Sequence, residues 1–351
     1  MNRYIIIGGP GIGDTIIELV AAKSLKTKDP NCAVDILFSS STGADKVIPE
    51  ILNYQKYVDN YYCVNKYNKW ATIRVLLKLR GRYRYSFSCS TAFKSSARPA
   101  LISKIIGAKS VIKEVKGKTG KIDIPIMIDE KIHIVEQYFK LLNGVNLFTP
   151  VDGIVLDNGK LNYFKLKNET GKSIVTICLG TNFTIFYKNG KPVYKNIKEW
   201  DITRWYEIAE TLVAQGLYVV LIGGKKERES FIKTGKICNI SDDIEILAGK
   251  TTIGQSLSIL YQSKIVIGAD TGMMHCAAAL GKMTLTLFGG TDSRVWKPYS
   301  EMSYVITGDA DCSPCYGKDY AISCNERKCL NVISVQKVIL AINRLLNGSN
   351  N

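Results

Sequence analysis

This 351-residue sequence predicts an α/β protein made of two αβα domains. Three observations predict it. Residues 4–22 and 265–291 each read as a buried strand, a glycine turn and a helix. Elsewhere, short β-branched runs alternate with helical patterns, as parallel sheets require. A polar segment at 151–172, VDGIVLDNGKLNYFKLKNETGK, shifts the composition midway and marks a boundary. The length suits two ordinary domains. They are expected at 1–165 and 166–333, with the last helix, 334–351, able to pack back on the first.

Apolar residues make up 46% and charged residues 22%, which is ordinary for a globular chain. The net charge of +16 points to anionic partners. Nucleic acid, a phosphorylated glycolipid and an acidic membrane face all fit, as does a merely basic surface. No apolar stretch reaches the length of a bilayer. The start, MNRYIIIGGPGIGD, reads as a first strand rather than a signal peptide. Ten cysteines without a secretion signal imply reduced thiols in a cytoplasm.

Residues 4–7 form the first strand, and Gly8 to Gly13 a tight loop. Asp14 and Thr15 open a helix running to residue 22. The glycines read G-x-G-x-G at Gly9, Gly11 and Gly13. A dinucleotide fingerprint needs a further glycine where Asp14 stands, and a carboxylate there repels a pyrophosphate. An Asp beside a helix N-terminus is also favourable without any chemistry. Next come a strand at 33–38, the SSSTG loop, a helix at 47–52, a strand at 57–64 and a helix at 71–79. Residues 66–121 carry fifteen Lys and Arg, Lys113 among them, against one acid, Glu114. This is either a solvated face or a landing zone for a phosphorylated acceptor or lipid head groups. Tyr83, Tyr85 and Phe87 interleave with the charges, but no RNA-binding motif is recognisable. A strand at 85–89 leads into the loop CSTAFKSSARPA. Residues 131–142, KIHIVEQYFKLL, form an amphipathic helix with His133 on its surface.

The second sheet starts at 173–178 and ends in the loop Leu179-Gly180-Thr181-Asn182. An irregular stretch with Lys188, Lys191 and Lys195 follows. Lys198-Glu199-Trp200 precedes a helix at 203–215, and Lys198 offers a point charge to an anion. A strand at 218–222 ends at Gly223-Gly224-Lys225-Lys226-Glu227, a ligand position in a parallel sheet. After a strand at 244–247, L-x-G-K-T-T precedes a helix at 253–262. It is not a P-loop, because the first glycine would fall at Ile244. The strand at 265–267 breaks at Gly268-Ala269-Asp270-Thr271-Gly272, a helix spans 273–280, and a strand at 284–288 ends at Gly289-Gly290. Asp270, Thr271 and His275 lie on the rim where open α/β sheets bind ligands and helix N-termini attract phosphate. The plainer reading is a helix cap and a satisfied histidine. Cys312, Cys315, Cys324 and Cys329 are spaced C-x2-C-x8-C-x4-C, which suits a structural zinc or iron. A helix at 334–346 closes the chain.

The string D-T-G-x-x-H-x-A-A-A-L-G from Asp270, followed by L-F-G-x-T from Leu287, resembles the nucleotide-sugar loop of the glycosyltransferase family 9 heptosyltransferases. G-x-G-D-T, from Gly11 to Thr15, resembles that family's N-terminal loop, and K-x-W at Lys198 and L-x-G-K-T-T at Leu247 also match. Arg84-Tyr85-Ser86 departs from the pattern, since relatives often carry an acid there.

The resemblance implies a GT-B fold, with two Rossmann-like αβα domains facing across a cleft. It implies inverting transfer of a heptose or related sugar from ADP-heptose to a lipopolysaccharide core or other saccharide, with Asp14 as general base. Donor contacts would come from Lys198 on the phosphates, Glu227 (or else Glu229) on the ribose, and Asp270, Thr271, Gly272, Met273 and His275. Gly11, Gly13 and Thr15 would shape the loop around the base. No metal or other cofactor is implied, and many relatives carry a similar cysteine tail without needing a metal for transfer. The expected partners are a nucleotide-sugar donor and an anionic glycolipid or saccharide acceptor, not nucleic acid. The expected place is the cytoplasm, with peripheral contact at the inner membrane face. Two other classes stay open: a nucleotide-cofactor (NAD-type) oxidoreductase, and a basic binding module with a four-cysteine metal site.

Overall fold

The computed structural model describes residues 1–39, 44–65, 68–89, 97–114, 123–181, 184–188, 191–235, 241–316 and 318–348. The chain divides into two compact units, Met1–Lys160 and Leu161–Asn351. The division falls five residues before the boundary expected from composition.

In the first unit, strands and helices alternate: β1 (Arg3–Ile7), α1 (Ile12–Lys28), β2 (Ala33–Ser39), α2 (Ala44–Leu52), β3 (Asn60–Val64), α3 (Lys69–Leu79), β4 (Tyr85–Ser88), α4 (Ala97–Ile106), β5 (Lys109–Glu114), β6 (Ile124–Met127) and α5 (Ile134–Asn143). The strands form one parallel sheet in the order β3-β2-β1-β4-β5-β6. β1 reads Arg-Tyr-Ile-Ile-Ile, and its last four residues are buried, as a central strand covered on both faces requires. The elements α4 and β5 lie inside the basic region, where dense charge hides the alternation of Lys109-Ser-Val-Ile-Lys-Glu114, and β6 follows it as a run of four residues.

The second unit repeats the plan: β7 (Ile174–Cys178), β8 (Thr184–Lys188), β9 (Lys191–Lys195), α6 (Ile202–Ala214), β10 (Tyr218–Ile222), α7 (Lys225–Lys233), β11 (Ile244–Ile246), α8 (Ile253–Gln262), β12 (Ile265–Ala269), α9 (Gly272–Ala279), β13 (Met283–Phe288), α10 (Ser293–Trp296), β14 (Ser303–Thr307), α11 (Lys328–Asn331) and α12 (Val335–Gly348). Its parallel sheet has the order β11-β10-β7-β12-β13-β14. The stretch expected to be irregular is the antiparallel pair β8–β9. Two apolar-alternating runs flanking Asn189-Gly190 signal such a hairpin. L-x-G-K-T-T is a helix start. Thr252 Oγ1 accepts from the Gln255 N–H at 3.2 Å, and Gln255 Oε1 accepts from the Thr252 N–H at 2.9 Å, a reciprocal cap. The last helix packs on α6, and Val338, Ile342 and Leu346 join the core of this unit.

Three side chains differ from expectation. His133 is buried, not on the surface, and its Nδ1 accepts from the Val135 N–H at 3.2 Å, capping α5. Lys113 belongs to no landing zone. It is buried, paired with Glu130 at 3.1 Å, and donates to Gln137 Oε1 at 3.2 Å. Tyr83 and Phe87 are core residues, and Tyr83 donates to Asp35 Oδ2, so neither can stack on a base.

Candidate active site

Both sheets reverse strand order once, beside β1 in the first unit and beside β7 in the second. The carboxyl ends of the strands flanking such a switch point are where α/β sheets hold ligands. The motif residues lie at those two places, each within its own unit.

In the first unit, the switch point is filled by the loop from Gly8 to Gly11 and the start of α1. Asp14 sits in the first turn, half-buried, and its Oδ2 accepts from the Gly11 N–H at 3.1 Å. Thr15 is buried, and its hydroxyl donates to the Gly11 carbonyl at 3.1 Å, pinning the loop to the helix. Gly13 lies within the first turn of α1. A Cβ at Gly9 would stand 2.5 Å from Asp14 Cγ, and one at Gly11 2.8 Å from Asp14 Oδ2. The glycines therefore make room for a carboxylate rather than for a pyrophosphate, and the dinucleotide reading loses its structural basis. The loop that follows β4, residues 90–96, lies outside the described residues.

One residue here carried no motif signal. Glu18, one turn beyond Asp14, is 2% exposed, and its Oε1 accepts from the Gly9 N–H at 2.8 Å. Its Oε2 is buried with no hydrogen-bond partner among the described residues. Burial, reinforced by the charge of Asp14, pushes its carboxyl well above the usual range against the pull of the Gly9 N–H. Of the two carboxyl groups one turn apart, the buried Glu18 thus holds its proton more tightly in the fold than in water. Stability follows in sign. The folded state keeps a proton that the unfolded chain loses above about pH 4.3, so stability falls as pH rises from there until the folded carboxyl ionises. Glu18→Gln carries no such slope. Its melting temperature should match wild type near the unfolded pKa and exceed it at neutral pH, by roughly 2–4 °C per kcal/mol released. An equal loss of stability at both pH values in thermal melts would mean that Glu18 is charged in the fold.

The second unit gathers more groups. Asp270 follows β12, and its N–H continues the ladder to the Leu287 carbonyl at 3.2 Å. Its side chain does not cap α9. Asp270 Oδ2 pairs with Lys198 Nζ at 2.7 Å and accepts from the Thr291 hydroxyl at 2.6 Å. Burial pushes this carboxyl up, but the Lys198 charge and hydrogen bond, the Thr291 hydroxyl and nearby His275 together hold it below the usual carboxylate range. Lys198 is therefore an oriented charge, and its ammonium also lies 5.7 Å from the Tyr316 ring centroid. Trp200, two residues on, fixes its backbone. The indole is 2% exposed, packs edge-on against Trp205 at 4.7 Å and donates to the Leu330 carbonyl at 3.1 Å.

Thr271 is the N-cap of α9, with extended backbone and no side-chain cap. Gly272 and Met273 form the first turn, whose N–H groups lack intrahelical acceptors. A Cβ at Gly268 would meet Met274 Sδ at 2.9 Å and Cys178 Cβ at 3.0 Å, so this glycine lets α9 start close against the sheet. His275 is buried behind the turn. On the other side of β7, Glu227 Oε2 accepts from the Gly224 N–H at 2.8 Å, and its carboxyl lies 3.0 Å from where a Cβ of Gly180 would stand. Glu229 is exposed instead. The strand order places Glu227, the end of β7, Asp270 and Thr291 along one edge of the sheet. Pattern reading missed Thr291 as a partner and Thr181, whose hydroxyl donates to Asn196 Oδ1 at 2.8 Å beside that edge.

The tail thiols converge near the end of β13. Cβ atoms at Gly289 and Gly290 would meet Cys329 Sγ at 2.9 Å and Cys315 Sγ at 3.2 Å. Burial raises both thiols, and the other tail cysteines raise them further, Cys329 up to about 11. Among the described residues, no group of three or more His, Cys, Asp or Glu is arranged to hold a metal ion. Also among them, no helix is long and apolar enough to cross a membrane.

The model of glycosyltransferase family 9 (heptosyltransferase) matches residues 77–325. Lipooligosaccharide heptosyltransferase 2 of Haemophilus influenzae is 21% identical over 318 residues, covering 87% of this chain and 88% of that one. The solved structure of Escherichia coli ADP-heptose lipopolysaccharide heptosyltransferase II superposes with a TM-score of 0.67 at 19% identity, covering 100% of both chains. An Escherichia coli heptosyltransferase solved with ADP gives a TM-score of 0.70 at 17% identity, covering 98% of this chain and 99% of that one. These likenesses show the fold, GT-B.

Proposed function

Because the chain belongs to glycosyltransferase family 9, the heptosyltransferase family, we propose that it moves a heptose from ADP-heptose to a hydroxyl of a lipopolysaccharide-core saccharide, with inversion at the anomeric carbon. The observation that carries this reading is the cluster of Lys198, Asp270 and Thr291 beside the N-terminus of α9. It offers one oriented ammonium and a turn of backbone N–H groups, the equipment for a diphosphate.

In this mechanism, the acceptor oxygen bonds to the anomeric carbon while the bond from that carbon to the phosphate oxygen breaks. Asp14 takes the acceptor proton as attack proceeds, and a single direct displacement inverts the centre. The leaving ADP gains negative charge. Lys198 and the N–H groups of Thr271, Gly272 and Met273 stabilise that charge, with His275 supporting the loop. Glu227 accepts from the ribose hydroxyls, as a carboxylate with two oxygens can. Gly11, Gly13 and Thr15 hold the loop that positions Asp14. The acceptor is an anionic glycolipid, met at the cytoplasmic face of the inner membrane.

Thermal melts with ADP, UDP, GDP, CDP, their sugar conjugates and NAD test the donor assignment. ADP and ADP-heptose at a hundred times their dissociation constants should stabilise by roughly 2.7 kcal/mol, and the other ligands by much less. A shift with UDP-sugars and none with ADP would move the reaction to another donor.

A further inference from the structure

Helix α3 buries one side and leaves the opposite side apolar. Leu76 and Leu79 enter the core of the first unit, with Val75 packed against it. At about 100° per residue, Trp70, Ile73 and Leu77 fall within roughly 60° of one another on the outer side. All three are exposed, at 78%, 43% and 53%. Leu101 on the neighbouring α4 is 58% exposed as well. An amphipathic surface helix ordinarily shows water its charged face, so an outward Trp-Ile-Leu stripe calls for an occupant.

The surroundings say which. Lys69, Arg74, Lys78, Arg98 and Lys104 are exposed on the same two helices. No Asp or Glu occurs from residue 66 to residue 113. A protein partner reading this face would need an acidic, apolar groove of matching length. A bilayer needs nothing matched: tryptophan and aliphatic side chains enter the head-group boundary while the flanking cations meet anionic heads.

We propose that the outer face of α3, with Leu101 of α4, docks onto an anionic phospholipid surface, inserting Trp70, Ile73 and Leu77 between the head groups. The face gives the membrane-bound acceptor reading a definite place on the chain. It rests on that reading for its purpose but not for its test.

The experiment uses the full chain and vesicles of phosphatidylcholine with or without phosphatidylglycerol. Trp70 is the one exposed tryptophan among the described residues, since Trp200 and Trp205 are buried and Trp296 is half-buried. Its emission should therefore shift to the blue on vesicles containing phosphatidylglycerol and stay unchanged on phosphatidylcholine alone. In co-sedimentation, a Trp70→Ser, Ile73→Ser, Leu77→Ser variant should lose partitioning by roughly tenfold or more. Its melting temperature and its response to ADP should persist, because these three side chains are exposed. Equal sedimentation of variant and wild type, an unshifted emission, or RNA binding of equal strength unaffected by the variant would each overturn the assignment. Vesicle binding without heptose transfer would sink the proposed function and spare this surface, and transfer without vesicle binding would do the reverse.

Discussion

Asp14→Asn lowers turnover by about a hundredfold to ten-thousandfold and leaves ADP affinity nearly unchanged, if Asp14 is the base. That loss corresponds to roughly 2.7–5.5 kcal/mol of transition-state stabilisation. The substitution is close to isosteric, and the amide oxygen can still accept from the Gly11 N–H that Asp14 Oδ2 now holds at 3.1 Å. The loop and the fold should therefore survive, and the defect should appear in kcat rather than in donor binding. Glu18 cannot substitute, because it is buried and held by the Gly9 N–H, out of reach of an acceptor. A variant with near-wild-type kcat would remove Asp14 from the chemistry. It would leave its carboxylate as a cap for the glycine loop, which its geometry also permits.

Lys198→Ala should show two separable losses. The first is in binding, where removing a charged hydrogen-bond donor to the diphosphate weakens ADP by roughly ten- to a hundredfold. The second is in stability, because the Asp270 side chain, 8% exposed, would be left without its counter-charge. Stripping one partner from a buried pair costs about 3–5 kcal/mol. Adding Asp270→Asn removes the orphaned charge, so the double variant should regain most of the melting temperature while ADP binding stays weak. If the double variant recovers binding too, Lys198 serves the fold alone. If stability does not recover, Asp270 matters through Thr291 and not through Lys198.

The legible parts of this molecule were local in sequence. The run from Ile265 to Thr291 holds two strands, a turn and a helix in unbroken succession, and each has its period or breaker. The helix from Ile253 to Gln262 and the strand from Tyr218 to Ile222 fall where apolar pattern and glycine place them. Groups made by distant segments were not legible. Nothing in K-x-W says that Lys198 meets Asp270, because their pairing depends on the order of strands in a sheet. Glu18 gives no signal, because a carboxylate one turn after Asp14 reads as ordinary helix polarity. Its carboxyl is closed in by the glycine loop, where the Gly9 N–H meets it and a Cβ at Gly8 would collide with it. Helix α4 and β5 are obscured by the charge of residues 66–121, whose lysines include the buried Lys113, and β6 is an uncharged run too short to show a period. The exposed stripe of α3 shows the converse. Leu76, Leu77 and Leu79 look alike in sequence, and the fold separates one from the other two.

The most direct measurement is the product itself. The chain is incubated with ADP-heptose and a core oligosaccharide lacking its heptose, ADP release is followed, and the anomeric configuration of the new linkage is read by NMR. The account predicts one ADP per linkage and a configuration opposite to that of the donor, with both lost together in Asp14→Asn. Retained configuration would contradict the single displacement with Asp14 as base. Absence of transfer from ADP-heptose alongside transfer from another sugar nucleotide would contradict the heptosyltransferase assignment.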